Sequence, residues 1–436
     1  MNAPVSLWRS GAHAESINGS LIRARLPHAA MGELCEIRES AGDRQAFAHG
    51  VIVGLDAGMA AVSLLGDSSG LTAGMIVLPT GDLQRIEVST DLLGCVLDGF
   101  GRCVERFDRN EDAVAVARAT ATARPLASPA VDYRERRAVD EPFSTGVRAI
   151  DALLTCGVGQ RVGVFAAAGS GKTTLAEMLV DNAKADVYVI ALVGERGREV
   201  ASFVDRVRAS GNAARTVIVQ STSDTAPAAR CSAAMLATTV AEYFRDEGGR
   251  VMLIVDSMTR YARALRDIAL AAGEPPARRG YPASVFEALP RLVERPGRTH
   301  AGSITAFYTV LLEDEESADP IGEEIKSLLD GHIHLSAKLA TRGHHPAIDV
   351  LRSNSRLFTT LASAGQQDRA SRLRATLGLL EDMQLMRDLG EYKPGSSAEY
   401  DAAVAREPRI LGFLRQARDE RADFHAAMGA LDALAI

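Results

Sequence analysis

The apolar run VGVF (Val162 to Phe165) empties without a break into AAAGSGKTTL (Ala166 to Leu175). A buried strand that ends in two glycines, a lysine and two threonines has few uses. A triphosphate carries several negative charges at once, and its simplest receptor is a loop whose backbone N–H groups converge at a helix N-terminus. Gly169 and Gly171 permit that approach, with Ala168 and Ser170 completing the loop and Thr174 the first helical turn. Lys172 reaches the β and γ phosphates as a point charge, and the Thr173 hydroxyl is suited to magnesium. The full pattern has glycine first, where this chain has Ala166. The departure is mild, because Ala166 closes the strand, where conformational demand is lower than in the loop. TLAEMLV (Thr174 to Val180) supplies the helix. Strand, loop and helix together predict an α/β core that binds ATP.

Such a site needs a second carboxylate for the metal's water shell, at the end of a neighbouring buried strand. VMLIVD (Val251 to Asp256) offers Asp256 there, although an aspartate after five apolar residues also suits a plain turn. Hydrolysis further needs a group that orients water. Glu195, in VGERGREV (Val193 to Val200), emerges where parallel sheets hold their ligands. A glutamate opening a helix reads the same way, and spacing leaves both open.

Apolar runs alternate with helical stretches from residue 146 to about 350, the signature of βαβ units around a parallel sheet. The strand candidates are Arg161–Phe165, Asp186–Val193, Thr216–Gln220, Val251–Val255 and Ser303–Leu312. Before them, short β-rich runs at Ser20–Ala24, Val51–Leu55, Ala60–Leu65, Met75–Leu78 and Arg85–Ser89 predict a small barrel, with Gly94, Gly99 and Gly101 as its closing turns. A proline-bearing linker follows, its Ala113–Ala119 stretch suited to a short helix. Beyond 357, Leu373, Leu377 and Leu380 recur with Leu379, Met383 and Met386 at helical spacing, and Gly390 and Pro394 end that helix. Glu407 to Leu434 supplies at least one more helix. The expected division is a barrel domain at 1–103, a linker at 104–145, an ATPase domain at 146–356 and a helical domain at 357–436.

Charge and composition narrow the function. With 49 basic against 56 acidic residues the net charge is -7, which repels a polyanion. Aromatic residues are 5% of the chain, and the barrel region has no basic cluster, so it lacks the stacking platform of a nucleic-acid translocase. The five cysteines are scattered and never form CxxC, and His332, His334, His344 and His345 have no cysteine beside them, so reduced thiols and loop or strand histidines are expected, not zinc. No apolar run of membrane-spanning length and no signal-peptide pattern occurs, which predicts a cytoplasmic protein.

Several stretches resemble one family: AAAGSGKT (Ala166 to Thr173), GERGRE (Gly194 to Glu199), VDSMTRYARA (Val255 to Ala264), GEPPARRGYPASVF (Gly273 to Phe286) and PAIDVLRSNS (Pro346 to Ser355). Over residues 20 to 390 the chain is similar to the ATPases of type III protein secretion, relatives of the rotary ATP synthase subunits. The resemblance implies a RecA-like P-loop core between an N-terminal β-barrel and a C-terminal helical domain, assembled as a homo-hexamer. It implies ATP and Mg2+, with Lys172 on phosphate, Thr173 and Asp256 on the metal and Glu195 activating water. Arg196 and Glu199 stand around the γ phosphate, with Glu199 also close to the metal. Arg356 matches the position of an arginine finger inserted into a neighbouring subunit. Without the resemblance it reads as a surface arginine at a helix start, and Arg352 competes with it. The family's aromatic stacking partner for adenine has no match, since Tyr308 is displaced.

The implied partners are central stalk and stator proteins, chaperone–effector complexes and the export gate at the cytoplasmic face of the inner membrane, and no nucleic acid. The loop from Gly273 to Pro282 is expected to face the ring's opening and meet the stalk. CSAAMLATTVAEYFRD (Cys231 to Asp246) and LGEYKPG (Leu389 to Gly395) favour the injectisome branch over flagellar export. A noncatalytic ring subunit is the other alternative, and it predicts loss of the acid that Glu195 supplies.

Overall fold

The computed structural model describes residues 10–107, 121–313, 319–395 and 397–434. The Ala113–Ala119 helix expected from composition lies outside the described residues. At the N-terminus β1 (Ala12–Asn18), β2 (Leu21–Arg25), β3 (Glu33–Arg38), β4 (Ala48–Asp56), β5 (Met59–Leu64) and β6 (Ile76–Leu83) form a closed barrel in the order β1-β2-β5-β4-β3-β6. Alternation on β3 builds it, with Cys35 and Ile37 inward between less buried neighbours, and Ile22, Ala24, Ile52, Val62 and Val77 join them in the barrel core. β1 and β3 are additional to the strands expected.

The barrel is complete at β6, which corrects the expectation that Gly94, Gly99 and Gly101 close it. β7 (Arg85–Val88) pairs instead with β10 (Thr122–Pro125), while β8 (Cys95–Leu97) and β9 (Cys103–Arg106) join the central sheet. The reason is burial on both faces. Cys95, Val96 and Leu97 are all buried, as in a strand covered on two sides. Gly99 serves a close approach, since a Cβ there would lie 2.7 Å from the Ala229 carbonyl oxygen. Two short strands, β11 (Pro142–Phe143) and β12 (Cys156–Gly157), pair ahead of the central parallel strands.

The central sheet has nine strands in the order β19-β18-β13-β17-β16-β14-β15-β8-β9. β13 (Arg161–Ala166), β14 (Val187–Glu195), β15 (Thr216–Thr222), β16 (Arg250–Asp256) and β17 (Ser303–Leu311) occupy the five expected places. β18 (Gly331–Leu335) extends the parallel set, and β19 (Ile348–Ser355) and β9 run antiparallel at the edges. Alternate residues of β14 feed different cores: Tyr188, Ile190 and Leu192 on one face, Val187, Val189, Ala191 and Val193 on the other.

The helices between strands are α1 (Arg148–Leu153), α2 (Lys172–Asn182), α3 (Gly197–Ala209), α4 (Pro227–Asp246), α5 (Met258–Ala272), α6 (Ala283–Val293), α7 (Pro320–Leu328) and α8 (Ala337–Thr341). The C-terminal part is helical as expected: α9 (Phe358–Leu361), α10 (Ala364–Asp382), α11 (Gln384–Asp388), α12 (Ala398–Leu414) and α13 (Phe424–Ala433). Leu373, Ile410, Phe413 and Leu431 pack into the core beside α2, while Leu380 and Met383 form a smaller cluster with Ala403. The helical part therefore rests on the face of the sheet that carries the P-loop helix. No helix among the described residues is long and apolar enough to cross a membrane.

Candidate active site

β13 ends at buried Ala166, and the chain then turns through the glycine loop into α2. Gly169 has φ +77° and Gly171 φ +90°, a left-handed backbone that disfavours any side chain. A Cβ at either position meets nothing within 4 Å, so the loop encloses open space and the glycines answer to conformation rather than crowding. The Ser170 hydroxyl turns inward and donates to the Ala167 carbonyl, 2.8 Å away. No side chain caps the N-terminus of α2, which leaves its first N–H groups and the positive end of its dipole facing the loop. Ala168, Thr173 and Gly169 are exposed around this concavity. The arrangement is a receptor for anionic oxygens.

Lys172, in the first turn of α2, reaches back across the sheet end. Its Nζ lies 2.9 Å from Glu195 Oε1 and 2.5 Å from Asp256 Oδ1. Both acids end parallel strands that lie side by side, with Leu192 of β14 paired to Asp256 of β16. Glu195 and Asp256 are each only 4% exposed. Of the placements that spacing left open, Asp256 takes the end of a central strand over the loop rather than a peripheral turn. Glu195 is the last residue of β14, before α3 begins at Gly197.

Electrostatics at this cluster are opposed. Burial pushes the Glu195 carboxyl up, and the Lys172 ammonium works against it. Glu199, in the first turn of α3, is held below the usual carboxylate range chiefly by its hydrogen bond with Glu195. Lys172 loses solvation, yet the adjacent carboxylates of Asp256 and Glu195 raise it above its ordinary value, so it stays charged. Arg196 points to solvent with its side chain 77% exposed, and reaches Glu199 only at 4.0 Å.

Two residues that sequence reasoning missed complete the cluster. Arg260 Nη1 lies 3.0 Å from Glu195 Oε2 and also donates to the Gly194 carbonyl. It stands in the first turn of α5, which Ser257 caps immediately after a cis Asp256–Ser257 peptide. The Thr309 hydroxyl donates to Asp256 Oδ1 at 2.7 Å from the next strand, β17. Thr309 shares its strand, SITAFYTVL, with Ser303, Thr305 and Tyr308, so its hydroxyl gave no local signal. For Arg260 the sequence held only a cation four residues after a strand-end acid.

Arg356 is not brought to this site. Ser355 pairs with Gly331 at the start of β18, whereas Leu335 at the other end of β18 pairs with Ala166 below the glycine loop. Arg356 is exposed and separated from its own chain's loop by the length of that strand, about 13 Å. Arg352 is also exposed, on β19. Tyr308 is fully buried in β17, which removes it as a stacking partner for a base.

Comparison with known proteins agrees with this architecture part by part. Residues 146–355 match the ATP synthase alpha/beta family, nucleotide-binding domain, and residues 15–81 match that family's beta-barrel domain. Residues 362–433 match the T3SS EscN ATPase C-terminal domain. The SPI-1 type 3 secretion system ATPase of Salmonella typhi is 51% identical over 97% of each chain. The flagellum-specific ATP synthase of Treponema pallidum is 40% identical over 97% of this chain and 92% of its own. Among solved structures, the assembled ATPase EscN of enteropathogenic E. coli superposes with TM-score 0.88 at 38% identity, covering 98% of this chain and all of that one. EscN in complex with its central stalk EscO superposes with TM-score 0.85 at 37% identity over the same shares. A chain this similar to its relatives along its length, with a glycine loop faced by two buried acids, belongs to the type III secretion system ATPases.

Proposed function

We propose that the chain works as a homo-hexameric, Mg2+-dependent ATPase motor that drives the unfolding and export of secreted proteins, with each site completed by Arg356 of the neighbouring copy. One observation carries this reading. The loop, Lys172, Glu195, Asp256 and Arg260 converge at one end of the sheet, while Arg356 leaves from the other end. A single chain thus holds every part of the site except the cation from outside.

The steps follow from the residues. An entering triphosphate lays its β and γ oxygens on the N–H groups of Gly169 to Thr174, and Lys172 exchanges its two carboxylates for phosphate. That exchange releases Glu195 to accept a proton from the attacking water, while Arg260 keeps its carboxylate aimed. Water adds to the γ phosphorus, the bond to the β-phosphate oxygen breaks, and ADP and phosphate leave. Arg356 of the neighbour stabilises the charge on the transferring group, a contribution of about 10³ to 10⁵ in rate in related systems. The Thr173 hydroxyl and Asp256, the latter oriented by Thr309, would hold Mg2+, with Glu199 beside them. The fit is chemical: no cluster of three ionisable ligands occurs among the described residues, and a hard cation that keeps its waters and binds substrate oxygens needs only a hydroxyl and a carboxylate. When bound, the ion neutralises charge on the β and γ oxygens.

EscN assembled and with its stalk, and the stronger identity to secretion than to flagellar enzymes, support the injectisome reading and a stalk partner for the Gly273–Pro282 loop. Stator proteins, chaperone–effector complexes and an export gate at the cytoplasmic face of the inner membrane complete the assignment. ATP turnover per subunit, followed against protein concentration alongside native mass, tests it. Turnover should rise as hexamers form, and full-rate hydrolysis by dilute monomers would reject a shared site.

A further inference from the structure

Arg356 departs from a heavily bonded end of the sheet. Its backbone N–H donates to the Asp330 carbonyl at 2.9 Å. The preceding residue, Ser355, is buried, and its hydroxyl donates to the Thr155 carbonyl at 2.9 Å. Gln160 joins the two. This fully buried glutamine donates from Nε2 to the Asp330 carbonyl at 3.1 Å and to the Ser355 hydroxyl at 3.2 Å. Its Oε1 accepts from the Gly157 N–H at 2.7 Å, so both ends of the amide are engaged. The Asp330 carboxylate in turn takes the Arg161 backbone N–H at 3.1 Å, Nε at 3.0 Å and Nη2 at 3.1 Å. Arg161 opens β13, the strand whose far end becomes the glycine loop. Gly331 leaves room for this contact: a Cβ there would stand 2.9 Å from the Asn354 carbonyl oxygen and 3.2 Å from Gln160 Nε2.

A solvated surface arginine needs none of this. We infer that Gln160 and Asp330 are positioning residues that clamp the end of β19 and fix the direction in which Arg356 leaves toward a neighbouring copy. The inference rests on the reading of Arg356 given above. By the clamp, the strand that carries one subunit's phosphate loop also aims the arginine serving the next subunit's nucleotide. Since a misplacement of about 1 Å at a reacting centre can cost about 10²-fold, loosening the clamp should act on turnover and leave nucleotide binding alone.

The test uses full-length hexamers of Gln160→Glu, which keeps the side chain's shape and its Oε1 acceptor but loses both donated bonds. The expected result is kcat lowered about tenfold to hundredfold with KM for ATP unchanged. Direction of complementation decides the cause. Mixed with Glu195→Gln subunits, which have an intact arginine, Gln160→Glu subunits should regain turnover at shared interfaces. Mixed with Arg356→Ala subunits they should not, because both partners lack a correctly aimed arginine. The opposite pattern, rescue of Arg356→Ala, would mean that Gln160 supports its own chain's site and would overturn the clamp. Rescue of neither partner in verified mixed hexamers overturns it equally. If Gln160→Glu does not assemble, Ser355→Ala, which removes only the hydroxyl, is measured in the same mixtures, and the same outcomes support or overturn the clamp. The parent mixture of Arg356→Ala with Glu195→Gln stands apart: no recovery there rejects the arginine finger itself, whatever the clamp variants do.

Discussion

Glu195→Gln should separate binding from chemistry. The substitution keeps the shape of a side chain that is 4% exposed and retains an oxygen for Lys172 or Arg260. On the proposed mechanism it removes the proton acceptor, and positioned general bases contribute about 10² to 10⁴ in rate. That is about 3 to 5 kcal/mol of barrier, so turnover should fall by two to four orders of magnitude. Binding should move the other way or hold. Lys172 is held by two carboxylates, at 2.9 and 2.5 Å, which the triphosphate must displace. With a neutral amide in place of the Glu195 carboxylate, only Asp256 opposes that displacement, and a hydrogen bond involving a charged partner is worth about 1.5 to 3 kcal/mol. ATP affinity is therefore expected to stay level or tighten by up to about tenfold, the low end of that range, because the retained amide oxygen can still accept from Lys172. Calorimetric titration of ATP, paired with phosphate release measured above the assembly concentration, reads both arms. Turnover within about threefold of the parent enzyme would refute the role in water activation, because a positioned base is worth far more. Loss of binding in step with turnover would show instead that Glu195 holds Lys172 and Arg260 in place for the nucleotide.

Arg260→Gln should lower kcat by about tenfold to hundredfold with a smaller change in KM, because it frees the Glu195 carboxylate that it aims without touching the phosphate loop; a change confined to KM, in steady-state kinetics, would contradict this. Glu242→Gln should cost about 3 to 5 kcal/mol of stability, since it strands the Arg295 guanidinium, which is 2% exposed and bonded to both Glu242 oxygens at 2.9 and 2.6 Å; denaturant titration checks it, and a loss under about 1 kcal/mol, the scale of an exposed pair, would refute it. Stability should also fall as pH drops from about 6.5 toward 4. Burial, aided by Arg415 and His345, lowers His344 from its ordinary 6.5 to about 4, so its contribution is present at neutral pH and disappears as the unfolded chain takes up the proton first. By about pH 5 the loss is about 2 kcal/mol. His344→Leu should abolish that portion of the difference between unfolding midpoints at about pH 7 and pH 5.

How much of this could be read in advance depended on whether the chemistry lay in contiguous residues. The glycine loop is local, so strand, turn, lysine and threonine could be named in order. Asp256 and Glu195 were legible because each ends a run of apolar residues, and a charge at the end of a buried strand is conspicuous. Arg260 gave no such contrast. It lies in the first turn of α5, among residues that suit any helix surface, and only the placement of β14 next to β16 brings it over Glu195. The barrel strands β1, AHAESIN, and β3, ELCEIR, carry charges on their outward positions and so resembled loops. Cys95–Leu97 lies within the stretch expected to close the barrel by turns and is too short to reveal which sheet it joins, and the pairing with β15 is a long-range choice that propensity does not encode.

The same distinction explains Arg356. Local sequence offers a serine and an arginine before a helix, which describes many surfaces. What sets this arginine apart is distant in the chain: Gln160 and Asp330 direct their hydrogen bonds at its backbone and at Ser355, and Gly331 makes room for them. Ordering a buried glutamine, and satisfying its polar atoms, costs side-chain entropy that a mere sheet end does not require. Such order is intelligible if the direction of one exposed guanidinium has consequences beyond its own chain. The strand length between Arg356 and the glycine loop then becomes functional, because an arginine that could fold back onto its own loop would make hydrolysis independent of the neighbour. Shortening that separation, rather than removing the arginine, is the change that should uncouple turnover from assembly, seen as a rate per subunit that no longer climbs with protein concentration.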